Sequence, residues 1–256
     1  MCVTSFILSF RVPVVAAKKI SNDTLFNGRL LCCQHEEGYR FSVDAVLLSH
    51  FVRPYPNDSV LDLGAGCGVI SLILAHRHAA VRLAALELQD DLLALLRHNI
   101  SINHFDGRLV ALAGDARHIG ACVQPESFDL VVCNPPYGKA DAGRKSLGRE
   151  RLLARHEVAG TLSDFIGAAA FAVKNRGRVA FVLPAGRLAA LINAMQQVRL
   201  VAKRLQVVHS YPGGVGRLVL LEAIKNGGEE LQILPPFFIY KAENGDYTPE
   251  MAAMYA

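Results

Sequence analysis

No two cysteines of this 256-residue chain form a CxxC pair, no run of about 20 apolar residues goes uninterrupted, and neither acid nor base dominates. Each absence removes a class of protein. Cys2, Cys32, Cys33, Cys67, Cys122 and Cys133 lack zinc-site spacing, and adjacent Cys32 and Cys33 suit a disulfide framework poorly. Free thiols in a reducing cytoplasm are therefore expected. The nine histidines are scattered, so no metal site is expected. The opening MCVTSFILSFRVPVVAAKKI is apolar, yet Arg11 and Pro13 interrupt it and no basic segment precedes it. That argues against a cleaved signal and a membrane anchor, and leaves residues 1–22 as an apolar extension of uncertain role. No repeat of 20 to 50 residues is present. A net charge of +4 permits a nucleic-acid partner without requiring one.

With 52% hydrophobic residues the chain can bury a full core. DTLFNGRLLCCQHEEGYRFS reads as a hairpin turning at Asn27-Gly28, and VDAVLLSHFV has helical spacing. From Ser59 onward short apolar runs (VLDLG, LAALE, LVALAG, FDLVVCN, RVAFVLP) alternate with amphipathic stretches such as QDDLLALLRHNISINH and LSDFIGAAAFAVKN. Apolar runs without alternation are strands covered on both faces, and the stretches between them supply helices, so an α/β fold with a parallel sheet is expected. KRLQVVHSY and RLVLLEAIK are joined by PGGVG with no room for a helix, and should pair antiparallel. HRH at 76–78 is expected on a solvent-facing helix end.

The chemistry gathers at strand ends. VLDLGAGCG sets Gly64, Gly66 and Gly68 after the first strand of the series, where a glycine turn lets backbone approach a ligand. The spacing is GxGxG rather than the GxGxxG of dinucleotide sites, and Asp62 stands two residues ahead of it. A carboxylate there repels phosphate and welcomes an amine. Glu87 ends the next strand, where it can accept from both hydroxyls of a ribose, although a solvated carboxylate is an equal alternative. Asp115 ends the third, suited to an adenine amine or to a helix N-cap. Together they describe a ligand with an amine, a ribose and an adenine, but no phosphate.

This pattern resembles the class I S-adenosylmethionine-dependent methyltransferases over about residues 40–225. The resemblance implies a Rossmann-like, seven-stranded, mostly parallel sheet with a C-terminal antiparallel hairpin. It also implies S-adenosyl-L-methionine as cofactor, with Asp62 near the methionyl amine, Glu87 at the ribose and Asp115 at the adenine. NPPY at 134–137 looks like the signature of enzymes that methylate planar nitrogens. The lone pair of such a nitrogen is delocalised, so it attacks poorly until its N–H groups are held. Asn134 offers a side-chain carbonyl, Pro135 and Pro136 stiffen the corner whose main-chain carbonyl is the second acceptor, and Tyr137 offers a face on which a flipped base can stack.

The flanks EGYRFSVDAVLLSHFVRP and RHEVAGTLSDFIGAAAFAVKN most resemble the bacterial enzymes that methylate the adenine amine of the purine beside the anticodon of a valine tRNA. In that family the segment matching FSVDAVLL closes over the cofactor, which would put Ser42 and Asp44 at its edge. A tRNA or other structured RNA also calls for a basic rim. Lys139, Arg144, Lys145, Arg149, Arg151 and Arg155 stand against only Asp141 and Glu150 between Lys139 and His156, as a phosphate-binding loop or as a solvated one. Residues 23–58 are then expected to cover the cofactor, 59–240 to form the methyltransferase domain and 241–256 a tail. A guanine amine of rRNA, a protein glutamine amide, a cofactor-binding RNA module without turnover, and a dehydrogenase stay open as alternatives.

Overall fold

The computed structural model describes residues 19–36, 42–136 and 160–256. Tyr137 and the basic tract from Lys139 to Arg155 lie outside the described residues, as does the apolar opening through Lys18. Strands β1 (Ile20–Leu25) and β2 (Leu30–His35) form an antiparallel hairpin. Its turn runs through Phe26, Asn27 and Gly28 at φ of 53°, 54° and 83°, the left-handed values that Asn-Gly accepts readily. Helix α1 (Val43–Phe51) leads to β3 (Ser59–Leu63), and then come α2 (Val69–Arg77), β4 (Arg82–Glu87), α3 (Asp90–Ile102), β5 (Leu109–Ala113) and β6 (Phe128–Cys133). Beyond Gly160 come α4 (Leu162–Ala172), β7 (Val173–Pro184), α5 (Leu188–Gln197), β8 (Leu200–His209) and β9 (Gly216–Lys225). The chain ends with β10 (Gln232–Ile233), β11 (Phe237–Phe238) and α6 (Pro249–Ala253).

The large sheet has the order β10-β8-β9-β7-β6-β3-β4-β5, and β11 also pairs with β8. Strands β3 to β7 are parallel, and β9 lies antiparallel between β7 and β8, as the short PGGVG connection requires. Seven long strands are thus present as expected, and two two-residue strands extend the β8 edge to make nine. Pro235 and Pro236 separate these two and withhold the donors a longer ladder would need.

Successive side chains on a strand feed opposite layers. Val60, Leu130, Val132, Ala180 and Val182 join the core beneath α1, α2, α3 and the hairpin, whereas Leu61, Leu63, Val131, Val179 and Phe181 join the core beneath α4 and α5. Thr161 and Asp164 cap each other across the first turn of α4. That helix stops at Ala172, three residues short of the AVKN end the periodicity suggests. Phe128 pairs with Val173 but Leu130 with Arg178, so residues 174–177 bulge out of the ladder. Gly177 makes the bulge possible, since a Cβ there would stand 2.7 Å from Val173 and 2.9 Å from the Lys174 carbonyl. The HRH segment is likewise not wholly solvent-facing: His76 stacks on Phe26 at 4.5 Å, because the hairpin turn folds over the end of α2. At that turn the Phe26 N–H donates to the Tyr255 carbonyl at 2.8 Å.

Helix α3 serves the hairpin as a substitute strand. The Asn99 side chain accepts from Cys33 N–H at 2.8 Å and donates to the carbonyls of Cys33 and Cys67, both at 2.9 Å. One helical turn later Asn103 accepts from Leu31 N–H at 2.9 Å and donates to its carbonyl at 2.7 Å. The spacing matches because i,i+4 on a helix and i,i+2 on a strand cover nearly the same length, roughly 6 to 7 Å. Asn99 is fully buried, so removing its amide strands three backbone groups. Asn99→Leu should therefore lower urea-unfolding stability by about 3 kcal/mol or more at unchanged m, while Asn103→Ala, at the exposed end, costs about 1 kcal/mol or less.

Candidate active site

The carboxyl ends of β3, β4 and β5 stand side by side, and Asp62, the glycine turn and Glu87 meet there. Asp62 is 1% exposed. Its Oδ2 accepts from the Ser71 hydroxyl at 2.7 Å and from Ser71 N–H at 3.2 Å, while its Oδ1 has no hydrogen-bond partner among the described residues. Burial pushes the Asp62 carboxyl up to about 7, against the pull of the Ser71 bonds, and the charge of Glu87 adds to the rise.

Gly64, Gly66 and Gly68 have φ of 78°, 60° and 94°. Their surroundings separate their roles. A Cβ on Gly68 would lie 2.4 Å from Leu96 and one on Gly64 would lie 3.1 Å from Phe165, so these two are needed for packing as well as for the turn. Above Gly66 there is nothing within 4 Å, and that open face is where a ligand can meet backbone. The turn is pinned from β4: Gly64 and Ala65 N–H donate to the Leu86 carbonyl, and Gly66 N–H donates to Glu87 Oε2 at 2.8 Å. Glu87 Oε1 accepts from Gln89 N–H at 2.8 Å. Burial raises the Glu87 carboxyl, and its three backbone bonds, from Gln89, Gly66 and Leu88, oppose that rise.

Asp115 is occupied differently. It caps the 3-10 turn Ala116–Ala121 by accepting from Arg117 N–H, and the Arg117 guanidinium grips it at 2.6 to 3.0 Å. The Arg117 bonds hold its carboxyl below the usual range. Here the structure takes the N-cap option, and any amine reaching Asp115 shares it with Arg117.

Asp62 pairs in register with Val132, so Asn134 emerges level with Gly64 on the adjacent strand. Asn134 is half-buried and Pro135 buried. Helix α1 runs against the strands: beyond its carboxyl end the Arg53 carbonyl accepts from Arg178 near the start of β7. Ser42 and Asp44, both half-buried, therefore open α1 toward the carboxyl edge of the sheet. Sequence reasoning missed Ser71, Arg117 and Asn99. Asn99 did leave a signal, as a polar residue on the otherwise apolar Leu92, Leu95, Leu96 stripe.

Residues 42–206 match the model of the methyltransferase small domain. The chain belongs to that family. This methyltransferase is 31% identical over 189 residues to a tRNA1(Val) (adenine(37)-N6)-methyltransferase of Porphyromonas gingivalis, covering 72% of this chain and 73% of the relative. A Flavobacterium johnsoniae relative of the same name is 28% identical over 220 residues, covering 85% of this chain and 91% of its own. Among solved structures, a predicted O-methyltransferase from Agrobacterium tumefaciens superposes with a TM-score of 0.69 at 22% identity, covering 83% of this chain and 95% of its own. Pyrococcus horikoshii TYW2, solved with MeSAdo, gives 0.56 at 16%, covering 82% and 73%. Both share the Rossmann-like class I fold. The enzyme uses S-adenosyl-L-methionine. Its residues fit that cofactor, because a bare buried carboxylate oxygen, an open glycine face and a second strand-end carboxylate suit an ammonium, a backbone approach and a diol. No helix among the described residues is long and apolar enough to cross a membrane.

The bare oxygen has a measurable consequence. Native Asp62 keeps its proton up to about pH 7, whereas the unfolded chain releases it near the ordinary 3.8. Between those values the native state binds more protons, so stability falls as pH rises through the window. Without cofactor, the stability difference between wild type and Asp62→Asn should shift against wild type by on the order of 4 kcal/mol between pH 4 and 7, then level off in urea titrations.

Proposed function

We propose that this enzyme methylates the exocyclic amine of an adenine in tRNA, at the purine beside the anticodon. One observation carries the reading: the Asn134-Pro135 corner stands level with the glycine turn, one strand away from the open cofactor cradle. The names of the relatives support the nucleotide and the RNA.

Asp62 receives the cofactor ammonium, Glu87 the ribose hydroxyls, and Asp115 the adenine amine while still held by Arg117. Ser42 and Asp44 border the cofactor from α1. S-adenosyl-L-methionine supplies an electrophilic methyl carbon on a sulfonium. The Asn134 side-chain carbonyl and the Pro135 main-chain carbonyl accept the two N–H bonds of the target amine, turning its lone pair out of the ring. Proline stiffness fixes those acceptors in advance. The methylated nitrogen is acidic and loses its proton to water, so the site needs no strong base. Tyr137 stacks the flipped base, and Lys139, Arg144, Lys145, Arg149, Arg151 and Arg155 meet phosphates. Residues 23–58 cover the cofactor and 59–240 form the methyltransferase domain. A tRNA substrate implies residence in the cytoplasm.

Purified enzyme with radiolabelled cofactor should label bulk tRNA, and nucleoside analysis should find N6-methyladenosine. Label confined to rRNA or to protein overturns the reading. Asn134→Ala should lose methylation by about 10² or more while S-adenosylhomocysteine affinity, read by calorimetry, stays within twofold.

A further inference from the structure

Charge in this chain is divided between the two halves of the sheet. From Phe165 to Leu221 there is no Asp or Glu, while Lys174, Arg176, Arg178, Arg187, Arg199, Lys203, Arg204 and Arg217 all fall there. Residues 42–136, which hold β3 to β6 and the glycine turn, and residues 222–256 each carry −4, whereas the acid-free stretch carries +8. It builds most of α4, then β7, α5, β8 and most of β9, the half of the sheet beyond β6 and away from the glycine turn.

Several of these cations are committed to structure. Lys174 pairs with Asp129 at 2.7 Å, Arg178 with Asp58 at 2.8 Å, and Arg204 with Glu222 at 3.1 Å. Arg187 and Arg217 are not: both are exposed, and neither has an ion pair among the described residues. Their places follow from the register. Cys133 pairs with Phe181, so Pro184 stands level with Pro136 at the end of the catalytic corner. Arg187 closes the turn Ala185–Arg187 directly after Pro184. Leu218 pairs with Pro184, and Arg217 precedes it on β9, two strands or roughly 10 Å from β6. Both arginines thus border the carboxyl edge on the side of Asn134 away from the cofactor. Next to Arg217, on the β8 side of β9, lies the β8–β9 loop, Ser210 to Val215, which offers no opposing carboxylate.

We infer that Arg187 and Arg217 form a second phosphate-binding site for the RNA substrate, on the described fold and separate from the tract between Lys139 and Arg155. The inference rests on the tRNA reading above. A polyanion entering the corner would meet these two guanidiniums on the β7–β9 side, and the −4 of residues 42–136 would turn it away from the glycine turn. Phosphate contacts set orientation without reading sequence, which is what a base delivered into a fixed corner requires.

The test measures tRNA affinity across salt concentrations for wild type, Arg187→Gln, Arg217→Gln and Arg199→Gln. Arg199 is exposed at the opposite edge, ahead of β8, and serves as the control. The two edge variants should bind about 3- to 10-fold more weakly at 0.15 M salt, each flattening the slope of log affinity against log salt by about one. S-adenosylhomocysteine affinity and the melting temperature should be unchanged, and Arg199→Gln should match wild type. If the edge variants keep wild-type affinity and slope while wild type methylates tRNA, the second site is wrong. An equal loss in Arg199→Gln would overturn it too, reducing the effect to diffuse charge. If wild type neither binds nor methylates tRNA, the underlying function fails instead.

Discussion

A carboxylate sealed beneath a glycine turn is the constraint around which the rest of the active edge is arranged. Asp62 stands in a Leu- and Val-rich core with one oxygen bonded to Ser71 and the other bare, an arrangement that is unfavourable until a cation or a proton answers it. The fold tolerates it because everything around it is fixed elsewhere. Leu86 and Glu87 hold the turn from β4, Leu96 and Phe165 press against its outer glycines, and the face above Gly66 stays open. Burial of this kind favours a positively charged ligand over a neutral or anionic one.

Much of this was legible in the residues. The apolar runs from Val60 to Leu183 gave the strands because both sheet faces are covered, and the missing helix between KRLQVVHSY and RLVLLEAIK gave the antiparallel strand. Glycine spacing and Asp62 pointed to an amine-bearing ligand rather than a pyrophosphate. The less legible parts depended on contacts between distant segments. Periodicity carries α4 through Lys174, but Val173 is captured by Phe128 and the chain bulges around Gly177 instead. Asp115 suited an adenine or a helix cap; the cap is present, and the Arg117 fork that accompanies it left no trace in the residue pattern. Asn99 stood out as a polar residue on an apolar stripe, but its partners could not be named without knowing that β2 lies along α3.

The division of charge gives the sheet two chemically distinct halves around β6. On one side buried carboxylates suit a cationic cofactor; on the other a stretch without acids suits a polyanion. The Asn134-Pro135 corner sits at the seam, at the end of the strand that belongs to both. In the proposed reaction, opposite preferences on either side help keep cofactor and RNA from occupying each other's place, at longer range than any single contact.

The paired asparagines of α3 also bear on how the hairpin holds its alignment. A two-stranded ribbon is marginal in water and can slide along its own ladder. Here Leu31 and Cys33 are each clasped at both donor and acceptor by a helix that cannot slide with them. Displacement by one residue would turn those groups away and present inward-facing ones to solvent, so the wrong alignments are penalised twice. The same clasp covers a strand edge that would otherwise invite a stray chain to add itself, a safeguard built from two side chains rather than from another strand.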